Sequence, residues 1–155
     1  MSTADTETVP FTELDRGTCL RLLGHSAIGR VIFTDAALPA AQPVNFLLDG
    51  EEVVFHAATG SKLAAASRRT VVGFQVDRFD PDTRAGWSVL GVGEGYEITD
   101  VGRLAVLVAR RPPRWAPTHP VHTIAIPLRH LTGRGLSLAD DGNSRGVDKA
   151  RPSAV

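Results

Sequence analysis

The sequence predicts a mainly β, α+β domain, a small antiparallel barrel of six or seven strands with peripheral helices. Three observations carry this. The apolar segments run helix, three strands, short helix, two strands, helix, strand, without the regular strand–helix alternation of a parallel sheet. Asp49-Gly50, between the strand-like runs Pro43–Leu48 and Val53–Phe55, is a strong hairpin signal. Thr70–Phe79 alternates apolar and polar residues, as a strand with one solvated face does. Closing such strands into a barrel removes exposed edges.

Composition sets the outer bounds. A chain of 155 residues fits one domain with a core of its own, and 43% hydrophobic against 22% charged residues is ordinary for a globular protein. Lys+Arg 17 against Asp+Glu 17 leaves no net charge, so nothing in the overall field favours nucleic acid or an anionic membrane. The polar, acidic Met1–Phe11 segment is unlike a signal peptide, and no apolar run reaches membrane-spanning length; a cytoplasmic protein is expected. Residues 1–11 and 139–155 are expected to be flexible ends around a domain of residues 12–138.

Taken in order, Thr12 looks like an N-cap with Glu13 and Asp15 in the first turn of a helix that stops at Gly24. Cys19 lies among that helix's leucines, as a small core residue would. Ala27–Thr34 and Pro43–Leu48 are the first strands, and Val53–Phe55 is β-branched and apolar enough for a buried third. A short helix covers Leu63–Ala66. Gly86–Ile98 is one long strand whose glycines mark bulges, bends or close approach by a ligand. Thr99-Asp100 caps a helix from Val101 to Arg110, and Val121–Leu128 is the last main strand, running on through Leu131 to a turn at Gly133.

The stretch with the clearest chemical content is His56–Lys62. A strand ends, turns at Thr59-Gly60 and opens a helix with Ser61 and Lys62 in its first turn, where free N–H groups and the dipole favour a phosphate. It is not a Walker loop, since no glycine stands five residues before Gly60. The bland alternative is that Thr59 or Ser61 merely caps the helix and Lys62 is solvated; spacing alone leaves both open.

Other constellations argue mostly by exclusion. Gly91–Gly95 lacks the third glycine and the strand-to-helix setting of a dinucleotide fingerprint. His119 and His122 straddle Pro120 without a Cys or carboxylate cluster, so no metal site is expected. Glu51 and Glu52 follow a hairpin turn and are most simply solvated. Arg110, Arg111 and Arg114 suit a helix C-terminus through its dipole alone. Trp87, between Gly86 and Ser88, suits either core or the wall of a site for a planar ring.

Gly29–Phe33, Pro43–Phe46, Phe55–Lys62, Gly86–Gly93, Trp115 and Leu131–Arg134 stand in an order and spacing that resembles the pyridoxamine 5′-phosphate oxidase-like, flavin-binding split-barrel superfamily. The nearer resemblance is to its nitroimidazole-resistance and flavin reductase-like branch. It implies a six-stranded split β-barrel that dimerises, with flavin mononucleotide (FMN) in each of two clefts between subunits. It further implies that Val44, Asn45 and Phe46 offer main-chain groups to the flavin ring, and that the segment from His56 through Ser61 and Lys62 holds the phosphate. Trp87, Ser88 and Val89 would lie against the ring, and Arg30 would reach phosphate or ribityl oxygens. No residue is assigned as a covalent catalyst, and His56 is expected to tune or position. The family's oxidases carry Arg-Lys where this chain has Ser61-Lys62, and their C-terminal Arg and His motif is not found, so a vitamin B6 substrate is not expected. The implied function is an FMN-dependent oxidoreductase acting on a small organic acceptor. The alternatives are a carrier of flavin, deazaflavin F420 or haem, and a barrel that has lost its cofactor.

Overall fold

The computed structural model describes residues 11–110 and 117–136. The expected flexible ends lie outside these, except for Phe11, as do Arg111, Arg114 and Trp115. The strands are β1 (Phe11–Leu14), β2 (Ile28–Asp35), β3 (Leu38–Asp49), β4 (Glu52–Ala58), β5 (Val71–Phe79), β6 (Gly86–Glu94), β7 (Tyr96–Glu97), β8 (Val121–Pro127) and β9 (His130–Leu136). The helices are α1 (Arg16–Gly24), α2 (Lys62–Ser67) and α3 (Val101–Ala109). All strands belong to one curled sheet in the order β1-β9-β6-β5-β2-β3-β4-β8-β7, and every pairing is antiparallel.

The mainly β, antiparallel expectation holds, but the sheet has nine strands and not six. The three extra strands arise where local signals mislead. Thr12 is not an N-cap: residues 11–14 pair with β9, and Asp15 caps α1 instead, its Oδ1 accepting from the Thr18 N–H at 2.8 Å. The long glycine-rich strand breaks at Gly95 into β6 and β7, which pair with different neighbours. The last strand likewise divides after Pro127, because β8 pairs with β4 while β9 crosses to β6.

Side-chain alternation explains the core. Val31 and Phe33 of β2, Phe46 of β3, Phe74 of β5 and Val89 of β6 point inward, where Phe46 and Phe74 meet edge to face at 4.7 Å between centroids. Cys19 and Leu23 of α1 and Leu63 and Ala64 of α2 join the same core. β4 and β8 are apolar on successive residues because both their faces are covered. Val53, Phe55, Ile124 and Ile126 face the interior, while Val54 and Ala125 pack with Ile98 and Leu107 against α3.

The sheet curls onto itself through glycines. A Cβ at Gly93 would stand 1.8 Å from the Pro127 carbonyl oxygen, and one at Gly95 would stand 1.9 Å from that of Ser67. The close approach expected along this strand is therefore made by the chain's own backbone.

Candidate functional site

The feature that most resembles a binding site is the place where β3 and β4 part. Their ladder ends at Phe46↔Phe55, and β4 continues to Ala58 paired with β8 alone. The Phe46 N–H donates to the Ala27 carbonyl at 3.1 Å, on the side of β3 that faces β2. Alternation then turns the main chain of Asn45 toward β4, where Phe46↔Phe55 is the last pair. The outer bond of that non-hydrogen-bonded pair runs between Asn45 and His56, so it is the Asn45 N–H that faces the gap. His56 begins the stretch of β4 bordering that gap and is half-buried on the face it shares with Val54.

A second group lies on the outer face of the sheet. Arg30 pairs with Pro43 on one side and Gln75 on the other, and its side chain is exposed on the same face as Ile28. Gln75 Nε2 donates to Ser88 Oγ at 3.2 Å. A shallow cavity of about 260 Å³ opens here, lined by Arg30, Pro43, Gln75 and Asp77.

Beyond β4 the chain turns into α2. Ser61 is the N-cap, its hydroxyl accepting from the Ala64 N–H at 3.0 Å, so that oxygen already has a structural role. Lys62 Nζ lies 3.2 Å from Asp35 Oδ2 with its side chain 79% exposed, which leaves the ammonium free to reorient toward a ligand.

The predicted residues thus fall into separate groups. Asn45, Arg30 and Ser88 share the outer face. Lys62 stands at the Asp35 end of β2, five residues and roughly 16 Å of strand from Arg30, so the two cations do not converge within one chain. Val44, Phe46 and Val89 are core residues with 9%, 3% and 0% exposure, which leaves only their main chains available. Trp87 is half-buried against the main core.

Sequence inspection missed the polar cluster that fixes α3. Tyr96 OH donates to Glu52 Oε2 at 2.9 Å, and Arg103 reaches Tyr96 OH at 2.6 Å, Glu52 Oε2 at 3.0 Å and Asp49 Oδ2 at 3.1 Å. Glu52 is therefore engaged and not solvated, while Glu51 pairs with Arg16 at 3.0 Å. Arg110 adds bonds to Asp49 Oδ1 at 3.0 Å and the Leu48 carbonyl at 2.8 Å. Burial, and then the Glu52 carboxylate, push the Tyr96 phenol upward. His122 Nδ1 lies 2.6 Å from Glu97 Oε1; that hydrogen bond, more than nearby Arg68, holds the Glu97 carboxyl below its ordinary range. No local signal marks these pairs, most of which join residues far apart in sequence. Among the described residues no group of three or more His, Cys, Asp or Glu is placed to hold a metal ion. None of their helices is long and apolar enough to cross a membrane.

A curled antiparallel sheet with α2 closing one end and a parted β3–β4 pair defines a class, and comparison with known proteins gives its family. The family model for pyridoxamine 5′-phosphate oxidase matches residues 15–135, and the chain belongs to that family. Uncharacterized protein Rv0080 of Mycobacterium tuberculosis is 40% identical over 98 residues, a match spanning 60% of this chain and 64% of that relative. The FAD binding protein from Mycobacterium smegmatis has 28% identity and a TM-score of 0.70, with 81% of this chain and 98% of that one covered. A conserved protein of unknown function from Corynebacterium diphtheriae has 30% identity and a TM-score of 0.69, over 82% of this chain and 98% of its own.

Proposed function

We propose that the chain is a flavin-binding cytoplasmic protein that uses FMN to pass electrons to a small organic acceptor. The observation that carries this is the end of the β3–β4 ladder at Phe46↔Phe55, which leaves the Asn45 N–H facing the gap between the two strands. A flat heteroaromatic ring with acceptors along one edge satisfies such a donor without a dedicated side chain. Family membership and the FAD binding named for the Mycobacterium smegmatis protein support the same class of ligand. When bound, the flavin supplies hydride or electron transfer. The chain's own part is to fix the ring edge at Asn45, to offer the Lys62 charge to a phosphate, and to position polar groups through His56. His56→Gln should accordingly leave flavin affinity intact and lower turnover only modestly.

The protein is proposed to act as a homodimer. Ile28 and Leu90 stand 62% and 39% exposed on the outer sheet face around Arg30, where a second copy would cover them. A monomeric mass in solution with flavin bound would refute the dimer.

Denaturing the purified protein and weighing the released chromophore tests the function. FMN is expected. Release of FAD would keep the ring site and revise the nucleotide end. Release of a deazaflavin or haem would favour the carrier alternative. A colourless protein that takes up none of these on titration would overturn the proposal.

A further inference from the structure

At the far end of β6 from Trp87, a cleft of about 750 Å³ opens where β5, β6 and β9 come closest to β8. Arg69, Val71, Val92, Tyr96, Arg129 and His130 give it its chemical character. Val71 is 65% exposed and supplies, with Val92, an apolar wall. Arg69 stands beside the start of β5, and Arg129 and His130 beside the start of β9, so cations flank β6 from both sides, roughly 10 Å apart across two strand spacings. Arg69 and Tyr96 also border a neighbouring cleft of about 660 Å³.

The charges here are unspent. Neither Arg69 nor Arg129 has a side-chain hydrogen bond or ion pair among the described residues, whereas Arg68, Arg103 and Arg110 are all engaged. Of the acids lining the cleft, Glu52 is taken up by Tyr96 and Arg103, leaving Glu94 against two arginines. Arg69 is moreover held at φ 58°, a left-handed conformation that favours glycine. Its N–H donates to the Gly95 carbonyl at 2.7 Å, and the Gly95 N–H donates to that of Thr70 at 3.0 Å, so the strained residue is pinned at the cleft's edge.

We infer that this cleft is a second ligand site, separate from the β3–β4 gap, that takes a small organic anion: a carboxylate or phosphate carried on an apolar or aromatic body. Arg69 and Arg129 receive the charge by charge-assisted hydrogen bonds, and the body lies on Val71 and Val92. This inference does not rest on the flavin proposal, since none of the residues assigned to the flavin lines the cleft.

The test uses 8-anilinonaphthalene-1-sulfonate, a fluorescent aromatic anion, beside its uncharged parent N-phenyl-1-naphthylamine. Both are titrated into the purified wild-type protein, the Arg69→Gln/Arg129→Gln double variant, and Arg129→Glu, whose backbone is unstrained. The anion's affinity should fall about tenfold or more in both variants, the neutral parent's should not change, and inorganic phosphate should compete with the anion in the wild type. Equal anion affinity in wild type and Arg129→Glu would overturn the inference. So would a parallel loss for the neutral parent, an equal loss in the distant Arg21→Gln variant, failure of phosphate to compete, or release of bound flavin by the anion.

Discussion

Arg103 on α3 grips Asp49 at the end of β3, 54 residues earlier, through Nε at 3.2 Å and Nη2 at 3.1 Å to a single carboxylate oxygen. The same guanidinium meets Glu52 and Tyr96, so one side chain fixes α3 across the hairpin that leads into β4. Partners that are 27% and 30% exposed keep most of the strength of a charge-assisted bond.

Arg103→Ala should therefore lose roughly 2 kcal/mol of unfolding free energy, because Asp49 and Glu52 are left facing each other without a cation. Urea unfolding measures it. A double-mutant cycle between Arg103 and Asp49 should give a coupling on the order of 1 kcal/mol; a coupling of zero would mean the contact contributes only packing.

Tyr96 is the chain's single tyrosine, so its ionisation can be followed by ultraviolet absorbance alone. Its pKa is raised above 10.0 by burial first and then by Glu52. The folded state thus favours the neutral phenol. That contribution is complete below the unfolded value and disappears as pH rises through the folded one. Glu52→Gln should lower the Tyr96 titration midpoint, and an unchanged midpoint would assign the shift to burial alone.

On the acid side, the His122 hydrogen bond lowers the Glu97 carboxyl below 4.5, and the Thr18 N–H lowers the Asp15 carboxyl below 3.8. Each contribution is complete above the unfolded value and fades as pH falls through the folded value. Stability should therefore decline with acid below about pH 4.5. Glu97→Gln and Asp15→Asn keep an acceptor oxygen but cannot titrate, so both should flatten that decline by lowering stability at neutral pH toward its acid value.

Gly93→Ala should cost at least about 3 kcal/mol or prevent folding, since its Cβ would overlap a backbone oxygen that no rotamer can move aside. Gly102→Ala is the contrasting case. It lies in α3 with only Asp100 Oδ2 nearby, at 3.5 Å, and should stabilise by about 0.5–1 kcal/mol. Similar thermal shifts in both variants would contradict the backbone closure.

Lys62→Ala separates phosphate from ring recognition. Its exposed pair with Asp35 contributes at most about 1 kcal/mol to folding. FMN affinity should fall roughly ten- to a hundredfold, the loss of one charge-assisted bond, while riboflavin affinity barely changes. A parallel fall would show that Lys62 supports the fold or the ring. No fall in either would show that it serves only Asp35.

Much of the fold is determined by residues acting over short range. Period-two alternation along Thr70–Phe79 sets its inward and outward faces, and the apolar run at Val53–Phe55 requires cover on both sides, which the barrel core and α3 provide. Ser61 and Asp100 cap their helices with their own side chains. The ordered motifs from Gly29 to Arg134 carry the family resemblance. What depends on tertiary structure is everything decided between distant segments. Only the closed sheet turns Gly93 and Gly95 into backbone contacts, divides β8 from β9 by giving them different partners, and draws Glu52 to Arg103. Only the parting of β3 from β4 ends the ladder on the β4 side of Asn45, which still pairs with Ile28 of β2, while the curled sheet buries the side chains of Val44, Phe46 and Val89. The physical reason is that caps and alternation are satisfied within a few residues. Ion pairs, ladder ends and close backbone approach depend instead on how the sheet curls, which no short stretch of sequence encodes.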